Sequence, residues 1–332
     1  YVPPGWDEWY GEVEYATLNH NGQVVEYPAD TYHDDALSGL AQGFIRRQEG
    51  KDGPFFMYLS VSAPHAPADP ALRYEEFFED AKAPRTPSFN EADVSDKPEW
   101  ARLPSLDASG RRHIDKLYSN RLRTMVPVVE TIEGLISTLE ETGQLDDTYL
   151  VFASDNGYHM GQHRLELGKD TAYEEDIRVP LMVRGPGVPE GTREDDFVLN
   201  NDLAPTFADL AGVEPPGSVD GRSFAPMLDG SQGNDPERWR SAFQISHWNQ
   251  GAWDDSHNDA VTPVPPYRAV RTPNYLYVEY ETGERELYNL NADPHQLESL
   301  HDSADPALVE KLGSRLETLK DCEGQGCRDA EN

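Results

Sequence analysis

Met125-Val126-Pro127-Val128-Val129-Glu130-Thr131-Ile132-Glu133-Gly134-Leu135-Ile136-Ser137-Thr138-Leu139, then Gly143, then Tyr149-Leu150-Val151-Phe152-Ala153, is the stretch on which the fold turns. Met125, Val128, Val129, Ile132, Leu135, Ile136 and Leu139 recur at the 3.6-residue period and predict one apolar helix face. Gly143 stands where a helix stop belongs, because glycine takes the left-handed C′ conformation without a Cβ penalty. The run that follows is short, continuously apolar and bounded by turn residues, the pattern of a strand buried on both faces. Helix, short loop and buried strand in succession are an α/β signature.

Two more runs share that character: Phe55-Phe56-Met57-Tyr58-Leu59-Ser60-Val61 after Gly53-Pro54, and Val179-Pro180-Leu181-Met182-Val183. All three are expected in a parallel sheet covered by helices. Residues 81–104, with Pro84, Pro87, Pro98 and Pro104, read as a long surface loop. A second helix is expected over residues 203–211, ended by Gly212. Past Gly221 the character changes. Residues 224–236 read as loop, followed by Phe243-Gln244-Ile245 and by strands over 267–272, 275–280 and 285–289. The turn signals between the last three predict an antiparallel meander. Asp305-Pro306 opens a final helix with Leu308, Leu312, Leu316 and Leu319 on one stripe. A boundary near residue 230 divides residues 1–230 from a small α+β domain over residues 231–332.

A chain of 332 residues is one large or two ordinary domains. With 37 % apolar and 27 % charged residues it is neither collagen-like, nor coiled coil, nor wholly disordered. The 28 basic and 61 acidic residues leave a net charge of −33. Nucleic-acid binding rests on neutralising phosphates with Lys and Arg, so a polyanion of this size excludes it. An anionic membrane surface would repel the chain too, and no apolar stretch is long enough to span a bilayer. The first residue is Tyr1 and not Met, so a cleaved leader or a preceding segment is expected. Cys322 and Cys327 have no histidine near them with which to make a zinc site. They are either two free thiols in a loose tail or a local disulfide closing a Gly-rich loop, which would fit an exported protein.

The chemistry gathers just past the buried strands, where open α/β sheets present their ligand crevice. Ser62-Ala63-Pro64-His65-Ala66-Pro67 follows the first run, and Ser154-Asp155-Asn156-Gly157-Tyr158-His159 the second. Gly161-Gln162-His163-Arg164-Leu165-Glu166-Leu167-Gly168-Lys169 comes next. Asp155 and Asn156 offer a carboxylate and an amide oxygen side by side, ligands suited to a hard cation such as Ca²⁺ or Mg²⁺. Taken alone, Asp-Asn-Gly is also ordinary turn chemistry. His65 stands between two prolines, on a rigid backbone; by itself it would be a loop residue, and Lys169 by itself a solvated cation.

Together these segments carry a family resemblance. The block from Ser154 through Gly161-Gln162-His163 and Gly168-Lys169 to Asp176-Ile177-Arg178-Val179-Pro180-Leu181-Met182-Val183-Arg184-Gly185-Pro186-Gly187 resembles the second half of a sulfatase. The nearest subgroup is that of N-acetylglucosamine-6-sulfatases and related glucosamine-sulfate hydrolases. Val2-Pro3-Pro4-Gly5-Trp6-Asp7-Glu8-Trp9, Ala63-Pro64-His65-Ala66-Pro67, Tyr267-Arg268-Ala269-Val270-Arg271-Thr272 and Glu286-Leu287-Tyr288-Asn289-Leu290 extend it over nearly the whole chain. The resemblance implies an alkaline-phosphatase-like α/β/α sandwich, incomplete because its N-terminal strands are missing, followed by a small antiparallel sheet with a terminal helix. It implies that Asp155 and Asn156 bind a divalent cation, usually calcium. Lys169 would contact a sulfate oxygen, and His65 would contact sulfate and protonate the leaving oxygen; His163 would line the substrate pocket, or His159 and His163 would equally stand behind the site or on the surface. Metal and Lys stabilising charge on the sulfuryl oxygens, with a His as acid, is sound chemistry.

The family's nucleophile is a formylglycine made from a Cys/Ser-x-Pro-x-Arg segment, and this chain has none: Ser62-Ala63-Pro64-His65 lacks the Arg. Paired aspartates after a first apolar strand and a Lys-x-His pair are absent as well. The expectation is therefore the C-terminal portion of a secreted or periplasmic sulfatase acting on a sulfated carbohydrate or aryl sulfate. The formylglycine would lie on a missing N-terminal part of the same polypeptide, and the chain alone would be inactive. Two other readings stand beside it: a phosphodiesterase or phosphatase of the same superfamily, and a non-catalytic protein that binds sulfated glycans.

Overall fold

The computed structural model describes residues 1–14, 16–230, 239–248 and 262–332. They form two compact units, one of Tyr1–Ala81 with Lys116–Thr148, the other of Lys82–Asp115 with Tyr149–Asn332. The boundary expected at residue 230 abuts residues 231–238, which lie outside the described residues, and it is retained as a proposal.

The first unit opens with a three-stranded antiparallel meander, β1 (Tyr10–Glu14), β2 (Thr17–His20) and β3 (Gln23–Glu26). Asn21 and Gly22, with φ of 53° and 93°, make the two-residue turn that closes the His20–Gln23 pair. Such turns need positive φ at both positions, which Asn-Gly supplies at least cost. Helix α1 (His33–Gln48) turns Leu37, Ala41 and Ile45 inward at four-residue spacing. Helix α2 (Ala108–Glu141) contains the expected helix of residues 125–139 but begins much earlier. Asp107 Oδ1 accepts the backbone N–H groups of Ser109 and Gly110 at 2.7 and 2.8 Å, capping the extended start. Gly134 of α2 faces Gln42 of α1, whose Nε2 would stand 2.7 Å from a Cβ placed there.

Residues 55–61 correct the sequence reading. They are extended and alternate in burial, with Phe56 55 % and Tyr58 70 % exposed, and they enter no ladder among the described residues. Apolar content makes a segment eligible for a sheet, but a strand exists only where a second backbone accepts its hydrogen bonds.

In the second unit β4 (Leu150–Ala153) leads through a site-bearing loop and α3 (Glu174–Ile177) to β5 (Leu181–Arg184). The two strands pair antiparallel, Leu150 with Arg184 and Ala153 with Leu181, where a parallel pairing was expected. Parallel neighbours need a long crossover, usually a full helix. Here the only helix between the strands is the four-residue α3, and the chain returns along the end it left. Then come α4 (Leu203–Leu210) and α5 (Ala225–Leu228), the latter within residues read as loop; residues 231–236 of that loop lie outside the described residues.

Strands β6 (Phe243–His247), β7 (Tyr267–Arg271), β8 (Tyr275–Tyr280) and β9 (Arg285–Asn289) form the antiparallel C-terminal sheet in that order. Its alternating side chains define two covered faces. Val270, Tyr277 and Leu287 meet Leu312, Leu316 and Leu319 of α6 (Pro306–Leu319). Ala269, Leu276, Val278 and Tyr288 meet Leu165, Ala172 and Tyr173, so the second face holds the segment that contains Lys169. Short α7 (Gln325–Ala330) ends the chain, with Cys322 and Cys327 joined by a disulfide, Cα atoms 4.8 Å apart.

Candidate functional site

The loop after β4 is built to hold its shape. Gly157 and Tyr158 donate backbone N–H groups to the carbonyls of Asp176 and Glu175, both at 2.8 Å. A Cβ at Gly157 would lie 2.1 Å from the Glu175 carbonyl oxygen, so only glycine permits this approach. His159 and Gly168 exchange backbone hydrogen bonds at 2.9 and 3.3 Å, folding residues 160–167 into a closed loop and placing Lys169 beside the strand end. The Lys169 ammonium donates to Asn156 Oδ1 at 3.2 Å. Asp155, Asn156 and Lys169 are thus brought to one end of β4.

Each donor is oriented by its neighbours. Asp155 Oδ1 accepts its neighbour's backbone N–H (Asn156) at 3.0 Å, and the Asn156 Nδ2 donates to the Gly157 carbonyl at 2.8 Å. The Asn156 amide therefore presents its oxygen, toward Lys169. Buried His159 donates from Nδ1 to Asp176 Oδ2 at 2.9 Å. That carboxylate also accepts from the Thr171 backbone and hydroxyl at 3.0 and 2.6 Å, pinning the turn just past Lys169. Asp176, which joins the two arms of the site loop, was not singled out from the sequence, although it lies within the quoted block.

The donor chemistry of Asp155 and Asn156 fits a hard cation, which takes oxygen ligands. Their number does not complete a shell of six or more. Among the described residues no group of three or more His, Cys, Asp or Glu side chains converges as a metal site. Two oxygens could supply at most one side of a cation site, and an ion there would share Asn156 Oδ1 with the Lys169 ammonium or displace it.

His163 is placed differently from a pocket-lining residue. It is fully buried, stacks on the ring of Tyr173 with centroids 4.1 Å apart, and shares a 2.7 Å hydrogen bond between Nδ1 and Glu91 Oε2. A side chain without exposed surface offers a substrate no atom in this conformation. Burial pushes its imidazole down to about 4 and pushes the Glu91 carboxyl up to about 7, the latter against the pull of Lys97. Lys97 is itself fully buried, with Nζ 2.8 Å from both Asp96 Oδ2 and the Leu297 carbonyl. Glu91 and Lys97 escaped sequence reasoning because the proline-rich segment that carries them has no periodicity to mark an inward side.

His65 belongs to the first unit and is exposed. Its Nδ1 lies 2.9 Å from the Ala66 carbonyl, an acceptor, so the neutral ring carries its proton there and leaves Nε2 as the outward nitrogen. Buried Asp34 on α1 accepts a hydrogen bond from the Ser62 backbone, tying down the start of the His65 loop; burial raises its carboxyl above the usual range.

Comparison with known proteins gives a consistent result. The sulfatase family profile matches residues 4–213, and that of the N-sulphoglucosamine sulphohydrolase C-terminal domain matches residues 161–322. The chain is 33 % identical to N-acetylglucosamine-6-sulfatase of Bos taurus over 99 % of its own length and 64 % of the relative's. An extracellular sulfatase SULF-1 homolog of Drosophila melanogaster is 36 % identical over 74 % of the chain and 23 % of that protein. A solved structure of a protein bound to its substrate D-glucosamine-2-N,6-O-disulfate superposes with a TM-score of 0.82 at 23 % identity, covering 99 % of this chain and 78 % of that one. At that identity the likeness shows the fold, which is alkaline-phosphatase-like. The chain spans just under two thirds of the N-acetylglucosamine-6-sulfatases it matches.

Proposed function

Since the chain belongs to the sulfatase family, we propose that it supplies one side of the active centre of an enzyme that hydrolyses sulfate esters on a sulfated sugar. The 6-sulfated N-acetylglucosamine unit is the specific substrate we infer, supported by the identity to N-acetylglucosamine-6-sulfatases. The observation that carries the reading is the meeting of Lys169 and Asn156 beside Asp155 at the end of β4. Asp155 and Asn156 would hold a divalent cation, calcium in this proposal, which when bound draws charge from the sulfuryl oxygens. Lys169 is a fixed cation for the sulfate, valuable in a chain whose net charge of −33 repels anions. His65, with Nδ1 committed to the Ala66 carbonyl, has Nε2 to give a proton to the departing sugar oxygen.

The formylglycine nucleophile is proposed to lie outside these 332 residues, so residues 1–332 expressed alone should turn over no sulfate ester. Secretion is part of the same reading, supported by the Cys322–Cys327 disulfide and the extracellular relative. Among the described residues no helix is long and apolar enough to cross a membrane.

The test is Lys169→Ala in the full-length enzyme, assayed on 6-sulfated N-acetylglucosamine. Loss of one preorganised charge donor should cost about 100-fold or more in kcat/KM. Lys169→Arg should recover part of it, since a planar fork replaces a point charge imperfectly. An undiminished Lys169→Ala enzyme would overturn the assignment.

A further inference from the structure

Asn200 is an exposed residue at the start of the one-turn 3₁₀ segment Asn200–Asp202. Its Nδ2 donates to two successive carbonyls, those of Ser154 at 3.2 Å and Asp155 at 2.9 Å. These are the last residues before Asn156, at the point where β4 gives way to the site loop. Each main-chain oxygen thereby accepts a hydrogen bond, and Asp155 Oδ1 accepts the Asn156 N–H. Of the two Asp155 carboxylate oxygens, Oδ2 is the one with no hydrogen bond among the described residues.

The turn that carries Asn200 is anchored far more firmly than an exposed side chain requires. Asp202, with no exposed surface, accepts the Leu199 N–H at 2.8 Å and the Arg222 N–H at 2.9 Å. It also takes both Nη atoms of buried Arg240, whose Nε donates to Glu331 Oε2 at 2.9 Å, an oxygen that Arg222 shares. Gly221 closes the other side: a Cβ there would stand 2.1 Å from the Asn201 carbonyl oxygen. A doubly paired, fully desolvated carboxylate is costly to assemble and rigid once assembled. Here that rigidity ends in a single exposed amide whose donor grips the backbone of the candidate ligand.

We propose that Asn200 is a positioning residue that fixes the Ser154–Asp155 backbone so that the Asp155 carboxylate meets a divalent cation through Oδ2. The inference rests on the reading of Asp155 as a cation ligand. Groups that orient metal ligands without touching the metal lower affinity by about 10- to 100-fold when lost. Asn200 contributes no atom to the proposed ion, so its removal acts through Asp155 alone.

The experiment is calorimetric titration of the full-length protein with calcium chloride, together with thermal melting, on Asn200→Ala, Asn200→Gln and Asp155→Ala. The expected result is that Asn200→Ala binds calcium about 10-fold more weakly with its melting temperature unchanged. Asn200→Gln, which keeps the carboxamide, should recover part of the affinity, and Asp155→Ala should bind more weakly than either. Wild-type affinity in Asn200→Ala alongside a defective Asp155→Ala would overturn the positioning role and leave the ligand reading intact. Wild-type affinity in both would remove the ligand reading, and this inference with it. A lowered melting temperature in Asn200→Ala without recovery in Asn200→Gln would make Asn200 a fold residue and also overturn the proposal.

Discussion

His163 carries a consequence for stability that follows from its burial. Free histidine titrates near 6.5, whereas this ring is held at about 4 by loss of water. Between those values the unfolded chain binds a proton that the folded chain refuses, so stability falls as pH falls from 6.5 toward 4 and is complete above 6.5. Glu91 runs the other way: raised to about 7, it keeps a proton that the unfolded chain releases, so its cost grows as pH rises from about 4.5 to 7. Replacing His163 with Gln keeps a hydrogen-bonding partner for Glu91 and removes the titration. Urea melts at pH 7 and pH 4.5 should show the wild type losing up to about 3 kcal/mol relative to His163→Gln over that interval. Parallel losses in the two proteins would mean that the folded ring takes up its proton. At this scale the sequence is uneven. Asp155, Asn156 and Lys169 are legible because they sit in one contiguous block. The environment of His163 is set by Glu91, 72 residues upstream, and no local pattern announces that meeting.

The C-terminal sheet shows why some elements can be read and others cannot. Strands β7, β8 and β9 and helix α6 each have a full period of apolar residues bounded by turn or cap signals, so short-range chemistry specifies them. Residues 55–61 have the apolar content without a partner backbone among the described residues, and the antiparallel course of β4 and β5 depends on a connection whose path no periodicity encodes. The meander β1–β3 went unread although Asn21-Gly22 marks its second turn, because its strands are too polar to stand out. What fastens the C-terminal sheet to the site segment is also invisible in pattern. Glu286 of β9, fully buried, accepts hydroxyls from Tyr173 at 2.8 Å, Tyr280 at 2.7 Å and Tyr288 at 2.5 Å. Removing the acceptor strips three buried hydroxyls of their carboxylate partner, although Tyr173 and Tyr288 also hydrogen-bond each other, and a buried hydroxyl left unpaired costs about 1–3 kcal/mol. Glu286→Leu should therefore destabilise the protein by about 3 kcal/mol or more in denaturant titration, and Glu286→Gln, which keeps an acceptor, by much less. Equal effects of the two would assign the loss to packing.

Over the whole molecule the dominant electrostatic fact is the excess of acid, 61 carboxylates against 28 cations. Two salt effects compete. Screening weakens exposed ion pairs such as Arg46–Glu141, Arg73–Asp35 and Arg193–Asp195, which lie 2.7 to 3.2 Å apart. Pairs of that kind contribute about 0–1 kcal/mol each, so their loss is small. Screening also relieves the mutual repulsion of the surplus carboxylates, which acts over long distances and opposes the compact state. The Debye length shrinks from about 30 Å at 0.01 M salt to about 8 Å at 0.15 M, so the long-range repulsion is lost before contacts inside 4 Å are touched. Buried pairs such as Arg240 with Asp202 are screened least of all. Repulsion should therefore win, and the thermal midpoint should rise as sodium chloride is increased from 0.01 to 0.15 M. At about 2.1 cal/mol/K of unfolding entropy per residue, a shift of about 1–2 °C corresponds to about 1 kcal/mol in a chain of this size. The measurement is made with a calcium chelator present, so that a bound cation cannot account for the gain, and with sucrose at matched osmolality as the uncharged control. A midpoint that stays flat or falls with salt would show that the exposed pairs outweigh the net charge, and that −33 is distributed too far apart on the surface to strain the fold.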